Sequence, residues 1–292
     1  MNVNNIKNNK LSRSATYLLA VFFLTSCGTP DLDTIKIPTS DPKLSLAGTI
    51  FQPIGKGPFP LVVLSHGTPS TASKRAKYGY WYKPSIVNAL TLRGFAVIVP
   101  IRRGHGATGG EFAGSFGDCS DPDFYNAGLA DAEDILATLR FASGISYIDN
   151  TKIILFGYSA GGFASIATAN LKPKGVIAIA NFSGGRGGVH YEKFGIACFP
   201  GRMTETIGRY AENIDIPVLW HYVENDVFFP PDTVTEWFQA FKDSGGNGKL
   251  IIEPPYKSNG HKLLVSSGGV SIWGKAFDDF LVEFNISTII KN

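Results

Sequence analysis

Short apolar runs alternate with helix-compatible segments along most of the chain. The apolar runs are rich in Val, Ile, Leu and Phe, and each predicts a buried strand. They cover residues 44–51, 61–65, 95–99, 153–156, 175–181, 217–223 and 249–252. Apolar spacing and terminal signals predict helices at residues 81–93, 125–143, 162–171, 230–241 and 272–284. This alternation indicates an α/β fold, in which helices cover both faces of a mainly parallel sheet and crossovers are right-handed.

The chain is long enough for one large α/β domain. Its 292 residues are 44% hydrophobic, and no internal repeat or low-complexity tract is apparent. We assign residues 44–292 to this domain, although length alone also permits two smaller ones. Residues 27–43 contain three prolines and show no sustained periodicity, so they are expected to form a tether.

Residues 1–26 have the pattern of an export signal. Basic residues precede an apolar run at residues 15–24, which is too short to span a bilayer. The sequence Leu-Thr-Ser-Cys follows and ends at Cys27, and it resembles the lipobox of bacterial lipoproteins. The resemblance implies that Cys27 is lipidated and anchors the chain in the cell envelope. Gly28 after it favours the outer membrane of a Gram-negative cell, and a plain secretory signal is the alternative.

The net charge gives no indication of a nucleic-acid partner. The formal charge is +3, but Lys7, Lys10 and Arg13 all lie in the export signal, which has no acidic residue. Subtracting these three from 27 basic residues leaves 24, which equals the 24 acidic residues. A neutral mature chain argues against electrostatic binding of nucleic acid.

Two cysteines remain after the export signal, Cys119 and Cys198. Both lie in stretches that contain Gly and Pro and read as loops. Because an exported protein meets an oxidising compartment, the two are expected to form a disulfide, with two free buried thiols as the alternative. Their spacing does not fit a metal site.

The sequence Gly-Tyr-Ser-Ala-Gly at residues 157–161 places Ser159 between a predicted strand and a predicted helix. A nucleophilic serine needs a tight corner of this kind, and Gly157 and Gly161 remove side chains that would crowd it. In a chain with 33 glycines, five such residues also arise easily by chance. The strand, turn and helix around Ser159 are the context that a nucleophile requires.

A second glycine pattern, at residues 104–109, matches the dinucleotide fingerprint and follows a strand. A dinucleotide site requires a helix that opens at the third glycine. The following residues, 110–117, read as a loop instead, so no organic cofactor is expected.

Several motifs together resemble the α/β-hydrolase superfamily from about residue 44 to the C-terminus. His66-Gly67 at the end of a strand is similar to its oxyanion-hole loop, which implies that the amides of Thr68 and Ala160 bind an oxyanion. Residues 103–109 and 225–231 look most like the dienelactone-hydrolase and prolyl-oligopeptidase branch. Dienelactone hydrolases proper use a cysteine nucleophile, and Ser159 therefore favours esterase or peptidase chemistry.

The same resemblance implies which residues complete a catalytic triad. A serine nucleophile needs a histidine base, and the base needs a carboxylate. His261 follows the last predicted strand, where α/β-hydrolases place the base. Asp226 lies just past the preceding strand and is the expected carboxylate, with Glu224 and Asp232 as alternatives.

Three residues are weaker candidates for substrate binding. Tyr80 and Trp81 belong to an aromatic cluster after the oxyanion loop, where they are expected either to line an acyl pocket or to pack in the core. Arg186 lies in a long insertion of the kind that forms substrate lids, and it is expected either to bind a substrate carboxylate or to face solvent.

These observations predict a serine hydrolase that cleaves a carboxylic ester or related acyl bond through an acyl-enzyme. The expected partners are a small acyl substrate and, through Cys27, the lipid bilayer; the chain is expected to be a monomer and to need no metal or cofactor. The alternatives are a peptidase or acyltransferase on the same triad, and a non-catalytic envelope lipoprotein that retains the fold.

Overall fold

The strands of the core form one twisted sheet in the computed structural model, which describes Met1 and residues 33–190, 193–195 and 198–286. The strands are β1 Asp33–Pro38, β2 Ser45–Phe51, β3 Phe59–Ser65, β4 Ala96–Pro100, β5 Ile148–Tyr158, β6 Val176–Phe182, β7 Val189–His190, β8 Lys193–Phe194, β9 Val218–Val223 and β10 Gly248–Glu253. Eight of them pair in the order β1-β2-β4-β3-β5-β6-β9-β10. The short strands β7 and β8 form a separate antiparallel hairpin.

Most neighbouring strands in this sheet are parallel. Every pair from β4 to β10 is parallel, whereas β2 is antiparallel to both β1 and β4. The predicted mainly parallel α/β sheet is therefore confirmed. The carboxyl ends of the parallel strands lie at one edge of the sheet, which is where α/β proteins place their ligands.

Helices cover both faces of the sheet. They are α1 Ala72–Ala76, α2 Pro84–Leu92, α3 Phe124–Ala142, α4 Ala160–Ala169, α5 Pro200–Ala211, α6 Pro231–Asp243 and α7 Val270–Glu283, with 3-10 turns at Gly260–Lys262 and Ser267–Gly269. Alternate residues of β3 point to opposite faces. Val62 and Leu64 share a core with α2 and α7, whereas Leu61 and Val63 share one with α3. None of the helices within the described residues has the length and hydrophobicity to cross a membrane.

The predicted tether at residues 27–43 is wrong for residues 33–38. Residues 33–38 form β1, which pairs with β2 along its whole length, and Ile37 is fully buried. Ile35 and Ile37 alternate with polar residues, as in a half-buried edge strand, and Pro38 ends the strand. The export signal beyond Met1 and the expected lipidation site Cys27 lie outside the described residues.

Candidate active site

Ser159 lies at the strained corner that joins β5 to α4. Its backbone has φ 54° and ψ −124°, a conformation that residues with a side chain rarely adopt. The turn also requires its glycines: a Cβ on Gly157 would meet the carbonyl oxygen of Gly161, and one on Gly161 would meet that of Ser65. The amides of Gly162 and Phe163 donate to the Ser159 carbonyl at 2.9 and 3.2 Å, which begins the helix. The predicted strand, turn and helix are confirmed.

Asp226 and His261 form a hydrogen-bonded pair beside this corner. Asp226 follows β9, and His261 lies in the 3-10 turn after β10. His261 Nδ1 donates to the carboxylate of Asp226, at 2.8 Å from Oδ2 and 3.0 Å from Oδ1. Oδ1 also accepts hydrogen bonds from the amides of Phe228 and Phe229 at 2.8 and 3.2 Å. Because Nδ1 carries the proton in this arrangement, Nε2 is left as the acceptor.

Aromatic residues hold the His261 imidazole in place. The ring centroid of Phe228 lies 4.5 Å from that of His261, and the ring centroid of Tyr158 lies 5.2 Å away. The amide of His261 also donates to Asn259 Oδ1 at 3.0 Å. The imidazole is therefore buried apart from the part that faces the cavity described next.

Ser159 and His261 line the same cavity at the carboxyl edge of the sheet. Its volume is ≈ 710 Å³, and Thr68 and Ala160 also line it. Within the described residues no hydrogen bond joins the Ser159 and His261 side chains. Such bonds are often absent in unliganded enzymes and form when substrate binds. The structure thus brings the predicted nucleophile and base to one site.

A buried arginine fixes the loop that carries the expected oxyanion donors. Arg102 Nη1 donates to the His66 carbonyl at 2.8 Å, and its Nη2 donates to Thr68 Oγ1 at 3.1 Å. The neighbouring Gly67 lies against the nucleophile, since a Cβ there would stand 3.1 Å from Ser159 Cβ. The loop therefore has little freedom next to Ser159. The donor roles of Thr68 and Ala160 stay predictions, although both line the cavity.

His66 is a neutral structural residue of this loop. Its Nε2 accepts the Arg102 amide at 3.1 Å, which places the proton on Nδ1, the donor to the Gly67 carbonyl at 2.7 Å. Burial first, and then the positive charge of Arg102, hold the pKa of His66 well below its ordinary value. The imidazole stays uncharged and stabilises the loop at neutral pH.

A comparison with family models places the chain in a family. The Alpha/beta hydrolase family matches residues 62–271, well over half of the sequence. The chain belongs to the α/β-hydrolase family. No curated protein matches its sequence.

Solved structures share the fold of this α/β-hydrolase at low identity. The acylaminoacyl peptidase of Pyrococcus horikoshii gives a TM-score of 0.65 at 19% identity, over 89% of this chain and 42% of that chain. An esterase of Pyrococcus furiosus gives a TM-score of 0.60 at 16% identity, and the match covers 87% of this chain and 91% of the esterase. A Klebsiella pneumoniae protein described as a dienelactone hydrolase gives a TM-score of 0.58 at 15% identity, and the match covers 86% of this chain and 98% of that protein. The chain thus spans less than half of the peptidase chain, and these likenesses show the fold alone.

The two aromatic candidates for substrate binding lie outside the cavity, and Trp81 follows the alternative of core packing. Neither Tyr80 nor Trp81 lines the cavity. Tyr80 is exposed, and Trp81 packs against the core next to His66, whose ring centroid is 6.0 Å from its own. Tyr78 from the same cluster does line the cavity, and its hydroxyl donates to the Gly67 carbonyl at 3.2 Å. The short helix α1, which periodicity did not reveal, ends just before this cluster.

Arg186 lines the cavity and does not face solvent. It is only 7% exposed, and its guanidinium forms an ion pair with the buried Asp131. Arg102 Nε lies 3.4 Å from the other oxygen of the same carboxylate. The alternative of a solvent-facing arginine is therefore wrong. Sequence reasoning missed Arg102 and Asp131, which join the oxyanion loop to Arg186.

The predicted disulfide between Cys119 and Cys198 is present. Cys119 lies in the loop before α3, and Cys198 lies in the insertion after β6. Both loops contribute to the cavity, through Phe116 on one side and through Gly188 and Phe194 on the other. The disulfide therefore ties together two parts of the cavity rim.

The glycine pattern at residues 104–109 forms a tight structural turn. His105 and Gly109 make an isolated bridge, and the next helix, α3, begins only at Phe124. Thr108 Oγ1 accepts the Ala47 amide at 2.9 Å and so joins the turn to β2. Within the described residues, no cluster of His, Cys, Asp and Glu has an arrangement that could hold a metal.

Proposed function

We propose that this α/β-hydrolase is a serine esterase in which Ser159, His261 and Asp226 act as a triad. The observation that carries the proposal is the hydrogen bond of 2.8 Å between His261 Nδ1 and Asp226 Oδ2, beside a cavity that Ser159 also lines. The bond fixes the tautomer in which Nε2 accepts a proton. The strained turn presents the serine oxygen to the same space.

In the proposed reaction His261 Nε2 takes the proton of Ser159 while the serine oxygen attacks the ester carbonyl. The tetrahedral intermediate collapses when the imidazolium returns its proton to the leaving alcohol, which leaves an acyl-enzyme. Water, deprotonated by the same imidazole, then releases the acid. Asp226 stabilises the imidazolium in both steps, and two backbone amides keep the Asp226 carboxylate aligned.

The proposed oxyanion donors are the amides of Thr68 and Ala160. Ala160 begins α4, whose N-terminus favours negative charge, and Thr68 is held by Arg102. Fixed donors of this kind need no reorganisation during the reaction, and each is worth about a hundredfold in rate.

An ester is better supported than a peptide as the substrate of this site. Within the part of the chain that the structure describes, seven aromatic residues line the cavity: Tyr78, Phe112, Phe116, Tyr158, Phe194, Phe228 and Phe229. Such a wall suits a compact apolar acyl or aryl group. The Pyrococcus furiosus esterase is matched over 91% of its length, whereas the Pyrococcus horikoshii peptidase is matched over 42%.

Hydrolysis of a panel of 4-nitrophenyl and aminoacyl esters tests the proposal, with an acceptor alcohol present and absent. We expect hydrolysis of the 4-nitrophenyl esters by the wild type and none above background by Ser159→Ala. Ser165→Ala is the matched control, because Ser165 lies on α4 outside the cavity lining. Preference for aminoacyl substrates would identify a peptidase, product transfer to the alcohol an acyltransferase, and no turnover a binding protein.

We also propose that the protein is anchored in the cell envelope through Cys27. The support is the Leu-Thr-Ser-Cys sequence behind a short apolar run. Globomycin treatment or Cys27→Ala is expected to block maturation and leave the unprocessed chain. Normal processing to a soluble form in both cases would contradict the anchor.

A further inference from the structure

Among the residues that the structure describes, the charged side chains of the cavity wall are all positive. The charged side chains among the described lining residues, apart from the His261 imidazole, are Lys74, Arg75, Arg186 and Lys262. No Asp or Glu occurs in this lining set, since Asp226 lies behind His261 and Asp131 behind Arg186. A concave site with charge of one sign raises the local concentration of oppositely charged molecules.

Arg186 is buried, and it shares its one carboxylate partner among the described residues with a second arginine. Its Nη2 is paired with Asp131, but Arg102 Nε lies 3.4 Å from that carboxylate as well. One carboxylate thus faces two guanidinium groups. Arg186 Nε has no hydrogen-bond partner among the described residues. Since a buried unsatisfied charged donor is costly, an anion that reaches the cavity side of Arg186 is expected to be stabilised there.

Arg75 contacts the same loop as Arg186. The Arg75 guanidinium lies 4.0 Å from the ring centroid of Phe112. Two residues later Gly114 packs on Arg186, because a Cβ there would stand 2.5 Å from Arg186 Nη2. Burial, followed by repulsion from Arg102 and Arg75, lowers the pKa of Arg186, which is consistent with this close set of positive charges. The two lining arginines therefore both contact the loop at residues 112–114.

We propose that the cavity selects esters that carry a second, anionic group, a carboxylate or phosphate, which Arg186 and Arg75 bind. The proposal rests on the esterase function proposed above and adds the substrate class. A guanidinium binds either anion through two parallel hydrogen bonds. The aromatic wall accommodates the carbon chain between the anion and Ser159, and the exposed Lys74 and Lys262 attract the substrate.

The test compares two esters that differ only in charge. The 4-nitrophenyl monoesters of adipic acid and of adipamic acid have the same length, but one ends in a carboxylate and the other in a neutral amide. After subtraction of the Ser159→Ala rate, we expect kcat/KM to be about tenfold or more higher for the adipate ester. A ratio at or below one in the wild type would overturn the proposal.

Single-residue variants test which side chains cause the preference for the adipate ester. Arg75→Gln and Arg186→Gln are each expected to reduce the adipate-to-adipamate ratio about tenfold. Lys77→Gln is the matched control: it removes one positive charge just after α1, but Lys77 is not part of the cavity lining, so the ratio should stay unchanged. If Arg186→Gln does not fold, Arg75→Gln decides the question. An unchanged ratio in the folded arginine variants would refute the assignment.

Calorimetry on Ser159→Ala separates this proposal from the proposed function. Adipate and inorganic phosphate are titrated separately, and binding that Arg75→Gln weakens about tenfold supports the subsite. The stronger of the two binders identifies the anion. Adipate binding without turnover of any ester would refute the esterase and keep the subsite. Turnover of both esters at equal rates, without binding of either anion, would refute the subsite and keep the esterase.

Discussion

Asp226 Oδ2 lies 2.8 Å from His261 Nδ1, and Asp226 Oδ1 accepts hydrogen bonds from two backbone amides. Asp226→Asn would place an amide donor or a neutral acceptor where the imidazole needs a charged acceptor. We therefore expect kcat to fall about 10⁴-fold while the fold is kept. Measurement of kcat together with circular dichroism checks this.

Asp232→Asn is the matched control for that variant. Asp232 is exposed in the first turn of α6, six residues from Asp226, which is the carboxylate that pairs with His261. Its kcat should stay near that of the wild type. A loss of less than tenfold in Asp226→Asn would show that Asp226 is not the triad carboxylate.

Arg102 holds the loop that carries the proposed oxyanion donor Thr68 at two points, the His66 carbonyl and Thr68 Oγ1. Arg102→Lys keeps the charge but loses the fork that reaches both acceptors. We expect kcat to fall about tenfold to a hundredfold with little change in KM, because in the proposed mechanism this loop stabilises the transition state. Arg103→Lys is the control, since Arg103 pairs with Asp134 instead. Equal effects on kcat from both variants would contradict the role given to Arg102.

The disulfide joins residues that are 79 positions apart, so it restricts the unfolded chain strongly. Cys119→Ser combined with Cys198→Ser is expected to lower the free energy of unfolding by about 4 kcal/mol. Urea denaturation of the variant and of the wild type measures the difference. Dithiothreitol should destabilise the wild type similarly and leave the double variant unaffected. Two reactive thiols in the unreduced wild type would show that the bond does not form.

Gly161 allows α4 to approach β3 closely, because a Cβ there would meet the Ser65 carbonyl oxygen. Gly161→Ala is expected to lower the free energy of unfolding by about 3 kcal/mol, since backbone cannot move aside easily. Gly201→Ala is the control: a Cβ there meets nothing within 4 Å, and alanine is expected to stabilise helix α5 by up to about 1 kcal/mol. Thermal denaturation compares them. A Gly161→Ala protein as stable as the wild type would contradict the close approach.

His105 makes stability depend on pH. Burial, aided by the charge of Arg102, lowers its pKa from 6.5 to about 4. Between pH 6.5 and pH 4, His105 is protonated in the unfolded chain but stays neutral in the folded chain. The free energy of unfolding therefore falls as the pH drops toward 4. His105 accounts for about 2 kcal/mol of this loss at pH 5. Urea denaturation at pH 7.5 and pH 5 measures this. Between the two pH values, the free energy of unfolding should fall by about 2 kcal/mol less in His105→Gln than in the wild type. An equal fall in both proteins would contradict the role given to His105.

Much of the fold follows from local pattern. Continuous apolar runs such as residues 153–156 and 217–223 are central strands, where burial on both faces leaves little ambiguity. Ser159 could be predicted as the candidate nucleophile because the turn that carries it requires Gly157 and Gly161. The family resemblance then located His261 after the last strand and Asp226 after β9.

The remaining features depend on tertiary contacts that no local pattern encodes. β1 is an edge strand whose two isoleucines gain burial only through β2, so its short alternation was outweighed by nearby prolines. Arg102, Asp131 and Arg186 come from a loop, a helix and a distant insertion, and their shared ion-pair network has no sequence signature. Trp81 and Tyr78 belong to one aromatic cluster, and the sequence does not distinguish the residue that packs in the core from the one that lines the cavity.

Fluorophosphonate labelling with peptide mapping tests the central claim most directly. The probe reacts with a serine whose proton an aligned histidine removes, and so it reports Ser159 and His261 together. We predict one adduct, on the peptide that contains Ser159, in the wild type, and none in Ser159→Ala or His261→Ala. An absent adduct in folded wild-type protein, or equal labelling of Ser159→Ala, would contradict the account.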